Sequence, residues 1–323
     1  MSKSMSKVSE IAKPSLLRVS LALLTVYFVW GSTYLALKYA IVGLPPFLLV
    51  GLRNLLAALI LLPFAWKALK KEVSRQHLSA SLFTGFLLVV CGNGSVTYAQ
   101  SHGVPSAVAA LVVGLVPSWM TVFVIFEAQK KSVSRRTILI KTVGLLAGLV
   151  GLSLLVSDGS LTPSDGSWFM TYVLVFGTVT WAFGSVRSKY LKSHPNLFAA
   201  TSMSMAAGGV IALLIGVVLG ESIDSNTLVP TQQALWSFAY LVVFGSVIAF
   251  SAYGWLLKNA DPTLTGTYAY VNPLIAIGLG YFVGGEKLSA SVFAAGAMII
   301  FSVIIITTAG RVDAHYKKKA LIA

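Results

Sequence analysis

The chain reads as an all-α integral membrane protein of ten transmembrane helices, arranged as two inverted five-helix repeats. Three observations carry that reading. First, 56% of the 323 residues are hydrophobic and only 11% are charged, with a mean hydropathy of +0.83. A soluble domain holds about 25% charged residues, so this chain cannot cover a water-facing surface and its main solvent is lipid. Second, the punctuation recurs: Trp30 returns as Trp181 after 151 residues, Pro45 as Pro195 after 150, Pro105 as Pro262 after 157 and Pro117 as Pro273 after 156. Such recurrence marks a chain built twice from one unit. Third, the basic residues alternate between loops.

The expected spans are 19–40, 46–66, 78–101, 105–127 and 136–157 in the first repeat, which covers 19–157. Those of the second repeat, 167–310, are 167–190, 196–219, 233–257, 263–284 and 289–310. About 20 residues at 1.5 Å each cross a hydrocarbon core of about 30 Å. The first span is too long for a signal peptide, lacks a clear cleavage site and has a counterpart around Trp181. Short connections leave no room for a soluble domain.

With ten spans, residues 1–18, the tail 311–323 and every second loop share one side. That side holds 21 of the 24 basic residues; Lys38, Arg53 and Lys287 fall toward the other. The positive-inside rule then places both termini in the cytoplasm. Five spans per half is an odd number, so the second repeat enters from the opposite face. Lys130-Lys131 on the cytoplasmic side recurs as Glu286-Lys287 on the outer side, the same structural position with its charge adjusted to the membrane face. The net charge of +14 follows this loop alternation, and no basic stripe interleaved with aromatics points to nucleic acid.

Polar residues inside spans are costly in lipid and face protein or a watery cavity. On the third span Asn93, Thr97 and Gln100 share one face at i, i+4 and i+7, with Tyr98 adjacent. The first span groups Trp30, Thr33 and Tyr34, with Ser32 beside them; the sixth groups Thr178, Trp181 and Ser185. The ninth carries Thr267, Tyr268, Tyr270 and Asn272 just before Pro273, and the eighth offers Ser246, Ser251 and Tyr253. Pro117 and Pro273 lie twelve and eleven residues past the prolines that open their spans, about 16–18 Å deep. Mid-helix prolines free a carbonyl and kink the helix, which suits gating elements at the bilayer middle. Interhelical bonding, static kinks and plain packing stay open as the alternatives.

Gly144, Gly148 and Gly151, and Ala206 to Gly209, give small faces for close helix packing. Arg53 lies about 10 Å into the second span, where it snorkels partly outward and takes a structural partner in preference to substrate. With Lys38 it keeps organic anions among the candidate solutes. The single Cys91 excludes an internal disulfide, and no metal cluster, cofactor motif or Ser/His/Asp constellation is present.

Trp30-Gly-Ser-Thr-Tyr34, Gly92-Asn-Gly-Ser-Val96, Trp181-Ala-Phe-Gly-Ser185 and Ala269-Tyr-Val-Asn-Pro273, with Gly285-Glu286 thirteen residues beyond, resemble the EamA branch of the drug/metabolite transporter superfamily. The resemblance covers roughly 19–310 and departs at Lys130, where many members carry Glu. It implies a carrier whose spans 1, 3, 4, 6, 8 and 9 surround a central cavity. The implied activity is alternating-access export of small metabolites such as amino acids or amphiphilic compounds from the bacterial cytoplasm across the inner membrane. An organic-anion or drug exchanger, a lipid-active enzyme and a structural or sensory membrane protein are the alternatives. The expected partners are a small-molecule substrate and the lipid bilayer, with no nucleic acid, no metal and no cofactor, as a monomer or homodimer. All ten acids and four histidines lie in loops or at span ends, so transport is expected as facilitated diffusion or exchange, or as coupling through a terminal group such as His102 or Glu127.

Overall fold

Serine, asparagine and threonine caps, and one pair of prolines, set where the helices begin. The structure, a computed structural model, describes residues 15–127, 169–222, 231–260, 265–285, 287 and 289–320, with 139–154 described in part. Helix α1 (Leu16–Ala40) starts at Ser15, whose hydroxyl accepts from the Arg18 N–H. Helix α2 (Pro46–Lys71) follows Pro45. A proline at the first helical position has no N–H to lose, and the cap comes from the other half. Both Glu221 oxygens accept, from Phe47 N–H at 3.1 Å and Leu48 N–H at 2.9 Å, placing a negative charge on the positive helix end. Helix α3 (Arg75–Ser101) opens on a reciprocal Ser74–His77 capping box. The fourth span forms two pieces, α4 (Ser106–Val113) and α5 (Val116–Glu127). The described residues between 139 and 154 are helical.

The second half repeats the pattern with α6 (Phe169–Ser188), α7 (Leu197–Val218), α8 (Gln232–Asn259), α9 (Tyr268–Phe282) and α10 (Ala290–Ala320). Among the described residues no strand occurs. Six stretches among the described residues are long and apolar enough to cross a membrane: α1, α2, α3, Ser106–Val124, α7 and α8. Val271–Phe282 and Ala290–Ser302 are shorter apolar helices. Phe28, Phe64, Trp66, Phe176, Leu214 and Val218 are exposed around the bundle, as a lipid-facing surface requires.

Hydrogen bonds define two ends of the bundle. At one end His194 Nε2 lies 3.1 Å from the Glu72 carbonyl oxygen, its ring centroid is 5.0 Å from that of His77, and Lys258 donates to the His194 carbonyl. At the other end Glu221 caps α2 and Lys38 Nζ donates to the Gly284 carbonyl at 2.6 Å. These are called the His194 end and the Glu221 end.

Packing follows the repeat. Helix α1 packs on α8 and α9, while its counterpart α6 packs on α3 and on the α4–α5 pair. Helix α2 packs on α8, α7 on α3, and the counterparts α2 and α7 on each other. The small face of α7 serves this internal packing, since a Cβ at Gly208 would stand 2.7 Å from the Gly85 carbonyl oxygen. Gly148 and Gly151 lie likewise against Ser302 and Ile299 of α10.

Two departures from regular helix bear on the site. Gly85–Asn93 within α3 and Leu241–Phe250 within α8 wind as π-helix, and their first residues are 156 positions apart. Such wide turns are rare and concentrate at functional sites. Both runs are apolar, so side-chain periodicity gives no sign of them. The expected pair of proline kinks takes two unlike forms. Pro273 stands inside α9. Pro117 is instead the second residue of α5, after a break at Gly114–Leu115. A first-turn residue has no helical acceptor for its N–H, so a proline there sacrifices no bond. Helix α9 runs from Tyr268 after a turn at Gly266–Thr267, with Thr265 before the turn helical; residues 261–264 lie outside the described residues.

Candidate functional site

Five rings form a layer across the bundle: Trp30, Trp181, Phe250, Tyr253 and Tyr268. The Trp30 centroid lies 5.4 Å from that of Trp181, 4.8 Å from Tyr253 and 5.3 Å from Tyr268, mostly edge-to-face. Each such pair adds about 0.5–1.5 kcal/mol beyond its burial. The two tryptophans, one from each half, are fixed by π-helical segments of the opposite half. Trp30 Nε1 donates to the Gly245 carbonyl at 3.2 Å. Trp181 packs on Gly92, where a Cβ would stand 2.4 Å from its Cε3. Trp181 Nε1 donates to the Tyr253 hydroxyl at 3.3 Å, and that hydroxyl donates to Ser185 Oγ at 2.8 Å.

The layer separates two cavities. The one toward the Glu221 end encloses about 660 Å³ of atom-free space, its mouth included. Its walls carry Trp30, Thr33, Tyr34 and Leu37 of α1, Arg53 of α2, Asn93, Val96 and Thr97 of α3, Val113 and Val116, Thr178 and Trp181 of α6, and Tyr268 and Asn272 of α9. The second cavity, toward the His194 end, encloses about 560 Å³ and is lined by Thr84, Ser188, Thr201, Ser204, Phe250, Tyr253 and Lys258 among others. Nearer the surface of the Glu221 end, Lys38, Gln100, Ser106 and Lys287 line a further hollow of about 550 Å³. It continues the α1 and α3 faces of the first cavity outward by about one turn.

Thr33, Thr97 and Thr178 donate their hydroxyls to carbonyls of their own helices, so each presents acceptor lone pairs to the cavity. With its amide turned to satisfy its neighbours, Asn272 donates to the Tyr268 and Tyr27 carbonyls at 3.1 and 3.0 Å. The Tyr27 hydroxyl is itself hydrogen-bonded to Thr267 Oγ1, tying α1 to the start of α9. The Tyr268 hydroxyl is buried beside Tyr253 and Trp181 and makes no hydrogen bond of good geometry among the described residues. No aspartate or glutamate among the described residues lines this cavity. Among the described residues no group of three His, Cys, Asp or Glu side chains is placed to hold a metal.

The structure brings nine of the expected residues to the cavity: Trp30, Thr33, Tyr34, Asn93, Thr97, Thr178, Trp181, Tyr268 and Asn272. It turns four elsewhere. Ser32 bonds its own helix and the Tyr240 hydroxyl of α8 at 2.6 Å. Tyr98 stacks on His102, with ring centroids 4.2 Å apart. Gln100 donates to the Tyr34 carbonyl and to Ser106 Oγ, and Ser185 accepts from Tyr253. These four brace the walls. The Tyr270 side chain, the Glu127 side chain, Lys130, Lys131 and Glu286 lie outside the described residues.

Arg53 corrects the sequence reading. It does not snorkel outward: it is 6% exposed, its Nε donates to Ser246 Oγ of α8 at 2.7 Å, and it lines the cavity. The reason is Gly245. A Cβ there would stand 2.8 Å from Arg53 Nη2, so the absent side chain leaves room for the guanidinium to lie inward. Helix α2 thereby joins the cavity wall, whereas α8 contributes the ring layer and the backing of Arg53. The charge in an apolar run marked Arg53 in sequence; nothing there marked its direction.

The model of the EamA-like transporter family matches residues 17–157 and again 168–308. The uncharacterized inner membrane transporter YedA of Escherichia coli (strain K12) is 36% identical over 287 residues, 88% of this chain and 89% of that protein. The uncharacterized transporter YoaV of Bacillus subtilis (strain 168) is 24% identical, over 91% of this chain and 97% of its own. A solved crystal structure with 19% identity superposes with a TM-score of 0.62 over 91% of this chain and 98% of that one, a likeness of fold. With two family matches spanning most of its length, the chain is an integral membrane protein of the EamA-like transporter family.

Proposed function

We propose that the protein is a secondary transporter that exports small organic solutes by alternating access. In this reading ten transmembrane helices form two inverted repeats, residues 19–157 and 167–310, with both termini and the His194 end in the cytoplasm of a bacterial cell. The observation that carries it is the ring layer with a cavity on either side, built from both halves. An exchange of conformation between two like halves would close one cavity and open the other. The π-helical segments of α3 and α8 support this, since they sit at matching places and hold the rings that would have to part. That no acid lines the cavity among the described residues favours facilitated diffusion or exchange over a proton relay. The lining suits metabolites with an apolar body and a few polar groups, amino acids and amphiphilic compounds included; the buried Arg53 favours, as second reading, an organic-anion exchanger.

The test is flux. Purified protein in liposomes should move labelled solutes from a panel of neutral, anionic and cationic metabolites, and Trp30→Ala or Asn93→Ala should abolish it. Cells with and without the protein should differ in the metabolites they release. Turnover of lipid in place of solute flux would favour a membrane enzyme. Flux that strictly needs a pH gradient, and survives changes at His102 and Glu127, would sink the uncoupled mechanism.

A further inference from the structure

A buried arginine that lacks an acid partner and lines a cavity raises the question of its counter-ion. We infer that Arg53 is the binding group for the carboxylate of an organic anion, whose apolar body rests on the ring layer formed by Trp30, Trp181 and Tyr268. This rests on the carrier reading and names its substrate class.

Arg53 stays charged in any protein environment and offers five donors in a rigid fork matched to a carboxylate. Only Nε is committed, to Ser246 Oγ. A buried charge is costly unless paired, yet no carboxylate lies within ion-pair reach of Arg53 among the described residues. Glu221, from the adjoining helix pair, spends both oxygens on the α2 N-terminus. Structural need alone does not explain an arginine here. The repeat supplies Met203 at a displacement of 150 in α7, and α7 packs without a cation there.

Three further observations point to an anion. Among the described residues no Asp or Glu lines the cavity that Arg53 lines, so an ammonium group would meet no countercharge from them. The Tyr268 hydroxyl of the same cavity, on a residue 2% exposed, lies beside Tyr253 and Trp181 but makes no hydrogen bond of good geometry among the described residues, so its donor is available to a ligand. The hollow between this cavity and the surface of the Glu221 end carries Lys38 and Lys287, cations able to raise the local concentration of anions at that mouth. Gly245 completes the site, because a side chain there would push Nη2 away.

The experiment uses full-length protein in detergent and a panel of C4–C10 alkyl and phenylalkyl carboxylates, each paired with its amide of nearly equal shape. Binding is read by thermal shift and titration calorimetry. Carboxylates should bind at least tenfold more tightly than their amides, Arg53→Met should erase that preference, and Arg53→Lys should keep part of it. In the unmodified protein a carboxylate, and not its amide, should protect Arg53 from phenylglyoxal, read by mass spectrometry. That measurement decides the matter where Arg53→Met does not fold. Equal binding of acid and amide, or a preference that survives Arg53→Met, overturns the assignment of Arg53 while leaving a carrier for other solutes. Failure of every anionic, neutral and cationic solute to bind or to cross liposomes overturns the carrier reading itself.

Discussion

The two sides of the ring layer are built from different chemistry. Toward the Glu221 end the wall combines tryptophan and tyrosine faces with two asparagines, three threonines and a buried guanidinium. Toward the His194 end it is mostly leucine and small hydroxyls, with Lys258 near the rim. A guanidinium and buried amides are expensive to desolvate and repay that cost only when a ligand or neighbour satisfies them. Serine and threonine hydroxyls bond their own helices at little cost. The difference suggests a binding chamber on one side and a passage on the other. Between them, each tryptophan is held by the opposite repeat, Trp30 through its N–H to Gly245 and Trp181 by contact with Gly92.

The strongest way to break that division is to remove a ring. Trp181→Ala should cost about 3–5 kcal/mol in reversible unfolding of the purified protein. It should also join the cavities, so that a cysteine at Thr201, with Cys91→Ser as background, becomes reactive to a thiol reagent added from the Glu221 end. A Thr201 cysteine that stays protected would mean that Trp181 is not the barrier between the cavities, and one already labelled with Trp181 in place would mean that the layer does not separate them. Gly92→Ala comes next. Its Cβ would meet the rigid indole of Trp181 at 2.4 Å, and overpacking of this kind costs about 1–3 kcal/mol. Gly245→Ala makes the informative contrast, because its Cβ meets the mobile end of Arg53 at 2.8 Å. It should lower the melting temperature less than Gly92→Ala does, yet weaken carboxylate binding more. Equal effects of the two glycines on both readouts would erase the distinction between them. The smallest effect belongs to Tyr253→Phe. It keeps the ring and removes the hydroxyl between Trp181 Nε1 and Ser185 Oγ, at about 1–2 kcal/mol. It should loosen the layer, raising labelling at Thr201 modestly.

Much of this was legible in the chain. Trp30 and Trp181 could be paired by their displacement, and Asn93 and Thr97 by their spacing, because a helix fixes which residues share a face. Gln100 and Tyr98 show the limit. They satisfy the same spacing rules, yet Gln100 ties α3 to the Tyr34 carbonyl and Tyr98 stacks on His102. Facing inward at the end of a helix is a different matter from facing a cavity. Arg53 shows it again: seven residues past Pro46, it could turn to the surface or to the interior, and the choice was made by a glycine and a serine 192 and 193 positions away.

The sequence by itself determined that the chain lives in lipid, that it carries apolar stretches long enough to cross it, and that it is built of two like halves. Composition, span length and recurrence are additive along the chain, so no contact is needed to read them. Only the tertiary structure decided where two helices widen into π-turns, which polar residues meet across the halves, and that a ring layer divides the interior. Those features depend on how close two helices approach. That approach is set by pairs such as Gly92 with Trp181 and Gly245 with Arg53, which stand far apart in the chain and act only when they touch.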